Sequence, residues 1–407
     1  MPPKTTKKQT SSAAKGAANR RRKSSVGAIN LGDTSVPGLG SRGSEQRNKK
    51  LDEALSKKDN SDLGISKKIF VGVKELCLRH VWLPFLLILV SVWSAYLLSD
   101  NHTESNPLRM FIDVSYEIPG TEPKMYGKGK KDFAFVAFYM LFFTFTREFT
   151  MQVILRPLAY RFGIQKEAKV KRFLEQMYAV SYYSFTGPLG LYIMKQTPLW
   201  FFETTAFYEN FPHKTHDHLF KVYYLAQAAF WAQQSVILIF RLEAPRKDFK
   251  ELVFHHIITI ALIFLSYRFH FTWMGLAVYI TMDISDWFLG LSKSFNYVNA
   301  RITGPFFAVF TVVWFYLRHY LNIKILWSVL TEFRTVGPFE LSWEDQQYKC
   351  WISQPIVFVL IFALQLVNLL WFFLILRILY RYVVLHVEED VRSESESDNE
   401  EDAKKQN

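Results

Sequence analysis

Two histidines stand side by side in the stretch Lys250-Glu251-Leu252-Val253-Phe254-His255-His256, and two aspartates, Asp283 and Asp286, sit three residues apart further on. A neutral imidazole exchanges protons near neutral pH and can also attack a carbonyl carbon. A carboxylate beside it would hold its tautomer and stabilise the imidazolium. On a helix the spacing of three puts Asp283 and Asp286 on one face. Adjacent histidines diverge, which suits two different roles, whereas helical metal ligands favour spacings of three or four, so no metal site is expected. The bland alternative is a buried hydrogen-bonded cluster that only locks two helices together.

Other residues crowd the same region. Trp231, Gln233 and Gln234 place an indole and two amides inside an apolar run, to contact a polar headgroup or to bond neighbouring helices. Arg241, Arg246, Lys247 and Lys250 gather at the mouth of the candidate site. They suit a phosphate-rich substrate, although a membrane flank explains them without function. His213, His216 and His218 surround Asp217 at a metal-like spacing, but in a polar stretch that reads as a solvated loop.

The elements that must position these groups are membrane helices. Of 407 residues, 50% are apolar, 17% aromatic and 21% charged, and long uncharged runs recur, which excludes a single water-soluble domain. The runs Val81–Ser99, Phe133–Leu155, Met177–Met194, Val222–Phe240, Leu252–Tyr267, Phe271–Ser292, Ile302–Leu317 and Trp351–Leu376 predict an all-α polytopic membrane protein of about eight spans. The third is predicted to break at Gly187-Pro188, and the fifth and seventh are short. Residues 1–68 form a basic tail without hydrophobic periodicity, read as disordered, and 386–407 form an acidic tail.

Orientation follows from Lys and Arg. The connections 156–175, 241–250 and 293–301 hold 12 of them in 39 residues, against 13 in 96 for the alternate set, so the denser set and both tails are expected in the cytosol. Asn101 then begins a lumenal glycosylation sequon. Lys404 and Lys405 form a dilysine ending that predicts retrieval to the endoplasmic reticulum. Ser24 and Ser25 follow Arg20-Arg21-Arg22-Lys23 as a basophilic kinase target. Ser393, Ser395 and Ser397 each precede an acidic residue by three, as an acidophilic kinase requires. Cys77 and Cys350 fall on opposite sides of the membrane and cannot pair. No nucleic-acid partner is expected.

The stretch RLEAPRKDFKELVFHHIITI … FHFTWMGLAVYITMDISDWFLGLSK, about 241–293, resembles the Lag motif of ceramide synthases, within a TLC domain over 168–385 behind two earlier spans in 69–167. The pattern is closest to fungal members. The resemblance implies six helices bundled around a lipid and acyl-CoA cavity. It also implies transfer of a (very-)long-chain acyl group from acyl-CoA to a sphingoid base such as sphinganine or phytosphingosine. No cofactor is implied beyond that substrate, and His255, His256, Asp283 and Asp286 are the residues needed. It implies a small single-span accessory subunit, and a paralogous or identical catalytic chain beside this one. Chain-length selection falls on Thr335–Asp345, where Phe339 and Trp343 would cap the cavity. Two other readings remain open: a non-catalytic TLC-domain protein that senses lipid or attends a translocon, and a proton-coupled transporter, which also places His and Asp at depth.

Overall fold

The computed structural model describes residues 65–242 and 248–385. Ser24, Ser25, Arg246, Lys247, Ser393, Ser395, Ser397, Lys404 and Lys405 lie outside the described residues.

Helix α1 (Ile65–Arg79) leads into α2 (Leu83–Leu97), which carries Pro in its first turn, and a single turn α3 (Arg109–Ile112) follows. Helix α4 (Lys131–Phe149), a π-helical turn Thr150–Leu155 and α5 (Arg156–Arg161) form one rod of 31 residues. Helices α6 (Glu167–Lys195), α7 (His218–Ile239), α8 (Phe249–Arg268) and α9 (Thr272–Tyr297) come next. Helix α10 (Thr303–Trp314) runs through a π-helical segment, Phe315–Leu321, into α11 (Asn322–Thr331), and α12 (Ser353–Leu385) ends the described chain. Each expected apolar run overlaps one of these rods.

Two expectations fail. Helix α6 is continuous through Gly187-Pro188 instead of breaking there. A proline removes one backbone donor, and packing against neighbouring helices lets a membrane helix tolerate that loss. The seventh span is not short either: it runs unbroken over Thr303–Thr331, because the charge at Arg318 that marks its end in the sequence is turned inward.

Among the described residues four rods are long and apolar enough to cross a membrane by length and composition: Lys131–Arg161, Phe249–Arg268, Thr303–Thr331 and Ser353–Val384. Helices α6, α7 and α9 are as long but more polar, and they pack on one another, so their polar residues face inward. Close approach needs small residues. A Cβ at Gly190 of α6 would stand 2.5 Å from the Tyr223 hydroxyl of α7 and 2.9 Å from Ile280 of α9. On the outside, Phe185, Ile239, Val312, Trp327 and Phe373 are each more than 60% exposed, an apolar belt suited to lipid.

On one side of the bundle a three-stranded antiparallel ribbon pairs β1 (Glu117–Ile118) with β2 (Met125–Tyr126) and β2 with β3 (His216–Asp217). Beneath it Lys221 of α7, fully buried, bonds Asp132 Oδ1 at 2.8 Å and the carbonyls of Ser115 and Gly127 at 2.8 and 2.7 Å. The ribbon side also buries His213, stacked 3.8 Å from Trp273, and His216, stacked on Phe220 and hydrogen-bonded with Thr272. His218 turns instead to Asp113. The expected solvated loop is therefore two buried aromatic stacks and one surface hydrogen bond, and the three histidines do not converge.

Candidate active site

Helix α9 carries the two aspartates into different neighbourhoods. Asp283, fully buried, accepts from Thr186 Oγ1 of α6 at 2.8 Å and from the side-chain amide of Gln227 of α7. Gln227 is fixed in turn by donating to Tyr223 at 3.0 Å and accepting from Tyr182 at 2.8 Å. Asp286, one turn on and half-buried, pairs with Arg318 at 2.5 Å. The shared face predicted from the spacing thus splits between a sealed helix junction and an ion pair.

Helix α8 brings His255 under two indoles: its ring centroid lies 5.8 Å from that of Trp231 and 5.1 Å from that of Trp371. His256 stands 5.7 Å from His255, nearly perpendicular to it, and its Nδ1 donates to the Leu252 carbonyl at 2.9 Å. His255 Nε2 is 3.5 Å from Thr259 Oγ1, while Nδ1 is buried without a hydrogen-bond partner. Among the described residues neither aspartate is hydrogen-bonded to His255. The expectation that a carboxylate holds the tautomer is thus not met at His255: Asp283 accepts from Gln227 and Thr186 at Oδ2, and Asp286 pairs with Arg318.

Two cavities meet at this point. A polar chamber of about 670 Å³ has Arg172, Arg241, Lys293 and Arg301 on its walls, together with Asp286, Arg318 and both histidines. It lies toward the side opposite the ribbon. An apolar chamber of about 420 Å³ runs between α8, α9 and α12 to Leu341, Trp343, Tyr348 and Cys350 on the ribbon side. Trp231 and His255 belong to the walls of both. Such a pair of chambers accepts a molecule with a polyanionic head and a long apolar tail, its junction presented to an imidazole.

The remaining sequence candidates divide. Gln234 and Arg241 line the polar chamber, Arg241 with its guanidinium over the Phe249 ring. Gln233 is buried behind it, accepting from Gln234 at 3.2 Å. Trp343 lines the apolar chamber, but Phe339 packs against Phe333, Arg334 and Lys349 rather than capping it. Asn101 is exposed just beyond α2, its Oδ1 held by the backbone N–H and hydroxyl of Thr103. Arg147, Arg172, Arg301 and Arg318 on the polar walls escaped the sequence reading. For Arg318 the available signal was the apolar stretch Leu321–Thr331 after it, which continues the helix past the charge.

Comparison with known proteins gives concordant results. The TLC-domain family profile matches residues 172–377. The Saccharomyces cerevisiae ceramide synthase LAG1 is 55% identical over 379 residues, 92% of this chain and 92% of its own. The Schizosaccharomyces pombe sphingosine N-acyltransferase lac1 is 51% identical over 80% of this chain and 84% of its own. A sphingosine N-acyltransferase-like protein of Gibberella moniliformis, FUM17, is 48% identical over 79% and 84%. With the match spanning six helices and the whole histidine–aspartate region, this chain belongs to the TLC-domain family of ceramide synthases.

Proposed function

We propose that the protein is an acyl-CoA-dependent sphingoid base N-acyltransferase, forming an amide between the acyl group and the base and releasing CoA. The observation that carries this reading is the meeting of a basic polar chamber and an apolar chamber at His255 and Trp231. The nucleotide head of acyl-CoA occupies the first, its tail the second, and its thioester lies at the imidazole. An alkylamine is mostly protonated at neutral pH and must lose a proton before it can attack. His255, with a buried unpartnered nitrogen at the junction, is the group we assign to the thioester. It attacks the carbonyl carbon, the CoA sulfur leaves with the proton of the other imidazole nitrogen, and the amine then displaces the imidazole from the acyl group and gives it back a proton. His256 and Asp286 accept and return the amine proton, and Asp283 fixes α9 against α6 and α7.

Around this core, Trp231, Gln234 and Arg241 with Arg172, Lys293 and Arg301 contact the substrate head. Trp343 bounds the acyl chain. The domain division is a tail over 1–68, two spans over 69–167, the TLC domain over 168–385 and an acidic tail over 386–407. The basic connections and the dilysine ending support an endoplasmic reticulum protein with both termini in the cytosol and the ribbon in the lumen. The fungal resemblance supports very-long-chain substrates, a single-span accessory subunit and a second catalytic chain. Purified protein given acyl-CoA and sphinganine is expected to yield N-acyl product and free CoA in equal amounts by mass spectrometry. Absence of the amide product in active-site-intact, folded protein would overturn the reading.

A further inference from the structure

Arg318 has no role in the motif that marks the family, and its surroundings are built with unusual care. It sits in the middle of the π-helical segment Phe315–Leu321, a wider winding that turns both Arg318 and His319 into the protein. π-Turns of this kind recur at functional sites. The guanidinium is 1% exposed, lies 4.2 Å above the Trp314 ring, and uses its donors on three sides. Nε donates to Ser285 Oγ at 2.6 Å, one terminal nitrogen to Asn368 Oδ1 at 3.1 Å, and the other to the Met282 carbonyl at 3.3 Å and to Asp286 Oδ1 at 2.5 Å. A charge at membrane depth is costly unless it is paired and hydrogen-bonded. Asp286, by contrast, keeps a fifth of its side chain exposed on the wall of the polar chamber beside His255 and His256.

We propose that Arg318 is a positioning residue for acyl transfer: its fork, anchored on Ser285 and Asn368, fixes the Asp286 carboxylate on the chamber wall as the acceptor for the ammonium of the sphingoid base. The inference rests on the ceramide synthase reading above. Arg318 acts on the amine through Asp286, and acyl-CoA binding is independent of it. A lock that merely held three helices together would disturb both substrates alike.

The test uses full-length protein in detergent, with steady-state kinetics for acyl-CoA and sphinganine varied separately. R318Q and D286N are each expected to lower turnover about 10²-fold, with kcat/KM for acyl-CoA, which reports the acylation half alone, unchanged within about 3-fold. Because the two residues act as a unit, D286N/R318Q is expected to fall no further than the worse single variant. R318K recovers little, since an ammonium lacks the fork. If R318Q does not accumulate as folded protein, N368A, which removes one anchor only, decides: about 10-fold lower turnover at the same kcat/KM for acyl-CoA is expected. Losses that multiply in the double variant, a kcat/KM for acyl-CoA that falls in step with turnover, or an N368A or R318Q enzyme at full speed would each overturn the proposal. Failure of the unsubstituted protein to make amide is a separate result, and it counts against the ceramide synthase reading alone.

Discussion

His255 and His256 are adjacent in sequence but unequal in surroundings. One is buried at the junction of the two chambers with a nitrogen left over, and the other ties its Nδ1 to its own helix backbone. Mixing enzyme with acyl-CoA alone is therefore expected to release CoA in an amount equal to the enzyme, with an acyl mass adduct on the His255 peptide. H255A is expected to abolish both the burst and turnover, and H256A to lower turnover by on the order of 10²–10⁴-fold, as loss of a general acid–base group does. CoA appearing only once sphinganine is added would show direct attack of the amine instead. Asp283 makes a different prediction, because it reaches neither chamber. D283N keeps an oxygen toward Thr186 and Gln227 only by placing its new amide donor at the buried position of Oδ1, which has no partner, and is expected to cost about 1–3 kcal/mol of stability, read as a lower Tm in detergent. Sequence spacing placed the two aspartates on one helix face. It carried no information about Gln227, Thr186 and Arg318, which come from three other helices and separate the carboxylates chemically.

At the scale of the helix, hydropathy is a good guide to the rods that meet lipid and a poor one to those that meet each other. Helices α6, α7 and α9 dilute their apolar runs with Thr186, Gln227, Asp283 and Asp286, and these same residues join them. Polar content in a run therefore marks the centre of this bundle. The seventh span shows the opposite error: a lone arginine reads as a membrane boundary, because a sequence does not reveal that a π-helical turn will rotate it inward onto partners from α9 and α12. Proline at position 188 reads as a break for the same reason, since the packing that sustains α6 is tertiary. The contact most sensitive to a single methyl group is at Gly190. G190A forces its new carbon against Tyr223 and Ile280, and is expected to cost about 1–3 kcal/mol through overpacking, with a matching fall in Tm and yield of folded protein.

For the molecule as a whole, the two chambers give it a direction, with charge toward one side and apolar depth toward the other. W343A, which opens the far wall of the apolar chamber, is expected to shift the amide products toward longer acyl chains at unchanged CoA stoichiometry; an unaltered product profile would place the length limit elsewhere. The ribbon side carries its own pH response. Burial pushes His213 down to about 4, and burial with the nearby Lys128 pushes His270 down to about 3. Both stay neutral in the fold, whereas the unfolded chain binds a proton near 6.5, so their contribution is complete above that pH and is lost as pH falls toward 4. The Tm in detergent is expected to hold between pH 7 and 8 and to drop between pH 6 and 4, with a smaller drop in H213N. The buried pairing of Lys221 with Asp132 and with the Ser115 and Gly127 carbonyls has a consequence for modularity. The lysine lies inside the family-matched region, and all three of its partners precede it. A fragment trimmed to the matched boundaries loses all three partners of Lys221 and the strands β1 and β2 that cover its end of α7, so the catalytic half is not an autonomous unit: excising it should yield aggregate, and any transplant of this bundle into another protein must carry residues 113–132 along with it.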